Sequence, residues 1–139
     1  MIDKHLLGFT EKCLNDYHEN LMDMKRRREY LESFLTKSPS DFSKEQTKSS
    51  SNGSNLEAGI ERICDDDELN RLKHRTEPIT ILLSIVPPDD KRFIELRYFQ
   101  KRHWHEVAEA LHIAEVTAKT TWRNRITGRA ARMLIGKVV

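Results

Sequence analysis

On both sides of a polar stretch at residues 36–55, apolar residues in this chain recur at three- and four-residue steps. No segment keeps the two-residue alternation of a half-buried strand. This restricts the chain to an all-α fold. The one run with strand-like β-branched content, "ITILLSIV" at residues 79–86, has no alternating neighbour to pair with and reads as a buried helix. With 139 residues, 37% of them apolar and a third charged, the chain suffices for one modest domain, or for a small domain plus an arm.

Between residues 2 and 35 there is no proline and a single glycine, Gly8. Leu7, Leu14, Leu21 and Leu35 fall at heptad steps, and Tyr17, Met24 and Leu31 follow three residues after their partners. This a/d seam predicts one long helix. Thr10 at a d position and Arg28 at an a position weaken it. The seam serves either a homodimer through the N-terminal helix or, the reading we prefer, packing against later helices of the same chain.

Composition then shifts. Residues 36–55 hold seven serines and only Phe42 as a large apolar side chain, too little apolar surface to offset the ordering entropy. The segment is expected to be a flexible Ser-rich linker between an N-terminal helical arm (1–35) and a C-terminal domain (56–139). In that domain "DDDEL" supplies Asp66 or Asp67 as a helix N-cap, and Pro78 marks a kink or a fresh start. Pro87 and Pro88 stop the apolar helix, with Asp89 or Asp90 available to cap the next. Phe93, Leu96 and Phe99, widened by Ile94 and Tyr98, form the face of that next helix.

The formal net charge of +2 conceals an asymmetry. Residues 71–139 carry fourteen Lys/Arg against seven Asp/Glu, whereas residues 36–70 carry four against eight. A basic C-terminal half implies a polyanionic partner met by that half. Within that half, "WHEVAEALHIAEVTAKTTWRNR", residues 104–125, begins as an amphipathic helix, breaks at "LHI" and then becomes basic. From Ala114 onward the chain holds six Lys/Arg and one acid.

Two helices crossing steeply need a small residue at their closest approach, apolar facing sides and a turn that reaches the left-handed region. Ala108 is the small residue, and Trp104, Val107, Leu111, Ile113, Ala118 and Ile126 are the expected core. His112 takes the turn position and tolerates positive φ better than most non-glycine residues. Ala114 stands where Ser or Thr would cap the second helix, at a cost of about 1 kcal/mol. On a regular helix Glu115, Val116, Lys119, Thr120 and Arg123 then project outward, where a recognition helix meets base edges. Arg123 suits guanine, Lys119 a guanine or a phosphate, and Glu115 cytosine N4. Thr117 backs the turn or reaches a phosphate, while Arg125, Arg129, Arg132 and Lys137 extend the positive face toward the backbone. The rotation set by Thr121 and Trp122 places Trp122 either in the core or against the sugar-phosphate chain.

The stretch "RFIELRYFQKRHWHEVAEALHIAEVTAKTTWRNRI" resembles the C-terminal domain of RinA/ArpU-type phage transcriptional regulators. That domain is itself similar to region four of bacterial sigma factors. The features that match are "FIELRYF", the short "VAEAL" helix, "HIA" at the turn and "TA" opening the second helix, specifically over residues 91–134 and loosely before them. Departures are Ala114 in place of a capping Ser, and Thr121 and Arg125 at positions usually apolar in the family. The resemblance implies a phage or prophage activator of late genes for packaging and morphogenesis.

Competing signals are weak. His103 and His105 lie two apart and face away from each other on a helix, and Cys13 and Cys64 are isolated, so no metal or other cofactor is expected. His103 and Lys101 read as phosphate contacts or plain surface. There is no nucleophile–base constellation and no Gly-rich phosphate loop, so an enzyme is not expected. "KRRR" at residues 25–28 reads as a solvated helix face. With no secretory leader and no membrane-length apolar run, the expected setting is the bacterial cytoplasm and nucleoid. The expected function is sequence-specific binding of double-stranded DNA in transcription, with host RNA polymerase as a further partner. The alternatives are a protein-interaction module binding polymerase or another regulator, and a small terminase-like packaging component.

Overall fold

The computed structural model describes residues 3–35 and 52–136 of the chain, and every described element is helical. The helices are α1 (Lys4–Asn15), α2 (Tyr17–Ser33), α3 (Asn52–Asp65), α4 (Asp67–Ile85), α5 (Pro88–Ile94, extended by a π turn at Glu95–Phe99) and α6 (Trp104–Leu111). The last helix, α7, is continuous over 115–135: Glu115–Thr117, a π turn at Ala118–Trp122, then Arg123–Ile135. None is long and apolar enough to cross a membrane.

The expected single N-terminal helix is two. Asp3 caps α1 by accepting from the His5 N–H at 2.7 Å, and α1 ends at Asp16, with φ −96° and ψ 5°. At this point Lys101 Nζ donates to the Asn15 carbonyl at 2.9 Å. Of the expected linker, residues 36–51 lie outside the described residues. From Asn52 the chain is helical, so α3 starts before the expected Leu56.

The chain forms two compact units, Met1–Asn20 with His74–Val139 and Leu21–Lys73, with boundaries inside α2 and α4. In the first unit α1 packs against α7 and against the π turn of α5. Thr10, Cys13, Leu14 and Tyr17 are buried there, so the leading part of the heptad seam is occupied by the chain's own core. Ile79, Leu82, Phe93, Ile94, Tyr98, Val107, Ala108, Ala118, Ile126 and Ala130 complete that core. Tyr17 and Thr80 are joined by a 2.6 Å hydroxyl–hydroxyl bond; because the Thr80 hydroxyl donates to the Thr76 carbonyl, Tyr17 is the donor. Thr10 Oγ1 is buried and has no hydrogen-bond partner.

Two proline expectations are sharpened. Pro78 neither ends nor restarts a helix: α4 runs through it, with Ile79 and Leu82 fully buried on the turn that follows. The run 79–86 is helical but only one face is buried, since Ile81 and Ile85 are exposed. Pro87 and Pro88 do stop α4, yet neither Asp89 nor Asp90 caps α5. Pro87 is the N-cap residue and Pro88 occupies the first turn, where its missing N–H costs nothing. Asp90 is buried and pairs with Arg125 instead.

In the second unit the carboxylate of Asp66 accepts the Leu69 N–H at 2.9 Å, as the "DDDEL" pattern predicts for an N-cap of α4. The same carboxylate takes both Nε and Nη2 of Arg27, at 3.1 and 2.8 Å. The hydrogen bonds from Arg27 hold the Asp66 carboxyl below the usual aspartate range. Arg26 pairs with Asp23 at 3.0 Å, so the four-cation run at 25–28 is partly neutralised in place. Gly59 leaves room for the Leu35 side chain directly against its backbone, space a β-carbon would fill.

Candidate nucleic-acid interface

The turn between α6 and α7 follows from three residues. His112 adopts the left-handed conformation at φ 59° and ψ 44°. This lets Ile113 N–H reach back to the Ala108 carbonyl at 3.0 Å and His112 N–H to the Glu109 carbonyl at 3.2 Å, satisfying acceptors at the end of α6. Ala114 then has extended backbone geometry, φ −72° and ψ 145°, at the start of α7, and no side chain caps the helix. At the other end of α6, Glu106 Oε1 accepts the His103 N–H at 3.1 Å.

Val107 and Ala118 are fully buried and Ala108 nearly so, holding the two helices together; Trp104, Leu111 and Ile113, expected as core, are half-buried. On the opposite side of the first turns of α7, Glu115, Val116, Lys119 and Thr120 are exposed together. Val116 is the most open of the exposed large apolar side chains, at 66%. Lys119 Nζ lies 3.2 Å from Glu115 Oε2, and the Thr120 hydroxyl donates to the Val116 carbonyl at 2.7 Å. Thr117 is half-buried.

Beyond Thr120 the helix departs from the regular spacing. In the π turn the Arg123 N–H bonds the Ala118 carbonyl, five residues back. A turn with one extra residue moves each later side chain back around the axis relative to a regular helix. Trp122 is half-buried, its ring 5.9 Å from that of Phe93, and Thr121 is exposed.

The same shift relocates Arg123. Instead of continuing the outward face, its guanidinium grips Glu11 of α1 through Nε and Nη2, each at 2.8 Å. Glu11 also accepts the Tyr98 hydroxyl at 2.7 Å. Burial pushes the Glu11 carboxyl upward, but the hydrogen bonds from Arg123 and Tyr98 and the charges of Arg123 and Arg97 outweigh it, leaving the pKa below the ordinary 4.5. Tyr98 is driven strongly upward by burial and by Glu11 beside it. Arg97 and Arg123 lie 4.0 and 5.9 Å from the Trp104 ring centre.

Other expected phosphate contacts divide similarly. Arg125 pairs with the buried Asp90 at 2.7 Å and lies over the Trp122 ring at 4.7 Å. Lys101 is held by the carbonyls of Asn15 and Tyr98. Arg129 is half-buried, Arg132 and His103 are exposed, and Lys137 lies outside the described residues. His103 and His105 stack with nearly parallel rings, 8° apart at 5.8 Å, so their in-plane lone pairs do not converge. Among the described residues no group of three or more His, Cys, Asp and Glu side chains is placed to hold a metal ion. Three exposed residues of α7 were absent from the expected contact set: Thr121, Asn124 and, near the end of the helix, Ile135. Only a non-regular helical period would have pointed to Asn124.

Over residues 1–130 the chain matches the model of a family described as a protein of unknown function (DUF722). The chain belongs to this family. Comparison with curated proteins and with solved structures finds no match. The family match covers α1 through α6 and most of α7, including Glu11, Arg123 and the turn at His112.

Proposed function

We propose that this chain is a sequence-specific transcriptional regulator that lays α7 in the major groove of double-stranded DNA. The observation that carries the reading is the joint exposure of Glu115, Val116, Lys119 and Thr120 directly after a three-residue turn set by left-handed His112. The types suit base edges: Val116 a thymine methyl, Glu115 a cytosine amino group, Lys119 a guanine or a phosphate. Arg132 and His103, exposed near the two ends of the paired helices, supply a charge and a hydrogen-bonding ring for the phosphates. Support also comes from the basic excess of residues 71–139. The resemblance of residues 92–126 to RinA/ArpU-type regulators extends the proposal to a phage or prophage activator of late genes. Such a protein would act in the bacterial cytoplasm, with host RNA polymerase as a second partner.

The test is binding-site selection from random duplex DNA with the full chain, followed by a salt titration on the winning site. A defined sequence should emerge. Each phosphate contact should add about 0.9 to the downward slope of log affinity against log salt. Retention that ignores salt, or a pool that never narrows, would sink the proposal.

A further inference from the structure

We propose that Asn124 is a specificity-determining residue of α7 that recognises adenine, an inference that rests on the DNA-binding reading above. In a regular α-helix each residue turns 100°, so Glu115, Val116, Lys119, Thr120 and the ninth residue, Arg123, share one face. The Arg123 N–H to Ala118 carbonyl bond inserts one residue into that turn. The place that position 123 would have held on the outward face passes to position 124. Burial follows this shift: Ala118 is buried, Trp122 and Arg123 are half-buried, Asn124 is exposed, and Ile126 and Thr127 are buried again.

Arg123 is committed elsewhere, with its Nε–Nη2 edge on the Glu11 carboxylate. Swinging it to a base would leave a carboxylate of 18% side-chain exposure with Tyr98 as its remaining hydrogen-bond donor. Asn124 carries no such commitment, having no side-chain partner among the described residues. Its amide offers one donor and one acceptor in the spacing that matches adenine N7 and N6. Thr120 lies one turn before it on the same face. Its hydroxyl proton is taken by the Val116 carbonyl, so it presents lone pairs to a base-edge amino group.

The experiment is site selection with three full-length proteins: the wild type, Asn124→Ala and Arg123→Lys. The lysine variant keeps a cation against Glu11 and avoids leaving that carboxylate bare. For Asn124→Ala the ratio of affinities for the wild-type site and for the same site with its contacted A·T pair replaced should fall roughly ten- to hundredfold. One position of the selected motif should become degenerate. Arg123→Lys should select the wild-type motif. An unchanged motif for Asn124→Ala overturns the inference and leaves the DNA reading standing, as does a motif lost only in Arg123→Lys. If the wild type enriches no sequence at all, the DNA reading itself fails and this inference falls with it.

Discussion

Arg123 and Glu11, 112 positions apart in the chain, meet through two hydrogen bonds of 2.8 Å and tie the first helix to the last. The pair is partly screened, with 34% and 18% of the side chains exposed, so its worth falls short of a fully buried bridge. Removing one partner still leaves the other desolvated. Glu11→Ala is expected to destabilise the fold by roughly 1–3 kcal/mol. A lower urea midpoint with an unchanged slope is the signature; a midpoint equal to wild type would show that α1 is not anchored through this contact.

The same carboxylate sets a pH dependence. Because the folded pKa of Glu11 lies below the ordinary 4.5, the folded state favours its ionised form. That contribution is present in full above the ordinary value and disappears as the pH falls through the folded value. Stability of the wild type should therefore drop on acidification below about pH 4.5, and Glu11→Gln should show a shallower drop over the same window. Parallel curves for the two proteins would place the acid sensitivity elsewhere.

What the sequence made legible here depends on how far apart the causes lie. The turn between α6 and α7 was readable because His112, Ile113 and Ala114 fix it locally, and the left-handed φ of 59° falls where the missing glycine suggested. The helical class was readable from apolar spacing alone. The break at Asp16, where the Asn15 carbonyl accepts from Lys101, 86 positions away, was not. Nor was the position of Arg123. A reading of outward faces assumes one helical period, and the π turn at Ala118–Trp122 changes that period in mid-helix. Thr121 drew attention to the spot, as a polar residue beside Trp122 at a position where the family is usually apolar. The size and direction of the shift emerge only when Trp122 meets Phe93 and Arg123 meets Glu11.

Ala114 leaves a gap that chemistry can fill. Its backbone already has the extended geometry of an N-cap, and its methyl group cannot accept from the first N–H groups of α7. Ala114→Ser is expected to raise stability by about 1 kcal/mol, read from chemical denaturation. The gain should appear without loss of DNA retention, because a cap points back at the helix end. A destabilised Ala114→Ser protein would mean that the start of α7 is not free to accept a cap.

Thr10 offers the opposite lesson, a polar group placed where nothing answers it. It sits on α1 with no exposed surface, and its hydroxyl oxygen has no hydrogen-bond partner. A buried hydroxyl left unsatisfied costs about 1–3 kcal/mol relative to its state in water. Valine replaces the hydroxyl with a methyl of similar size and keeps the β-branched shape. Thr10→Val should therefore raise the midpoint of thermal unfolding, by roughly 4–8 °C per kcal/mol gained in a domain of this order of size. Because position 10 is the d position that broke the heptad seam, the substitution also restores an apolar residue there. If Thr10→Val formed dimers while its unfolding midpoint stayed at the wild-type value, the seam would face a second copy and not the core against which α1 packs. A monomer with a raised midpoint would identify Thr10 as an unsatisfied group in the core formed by α1, α5 and α7.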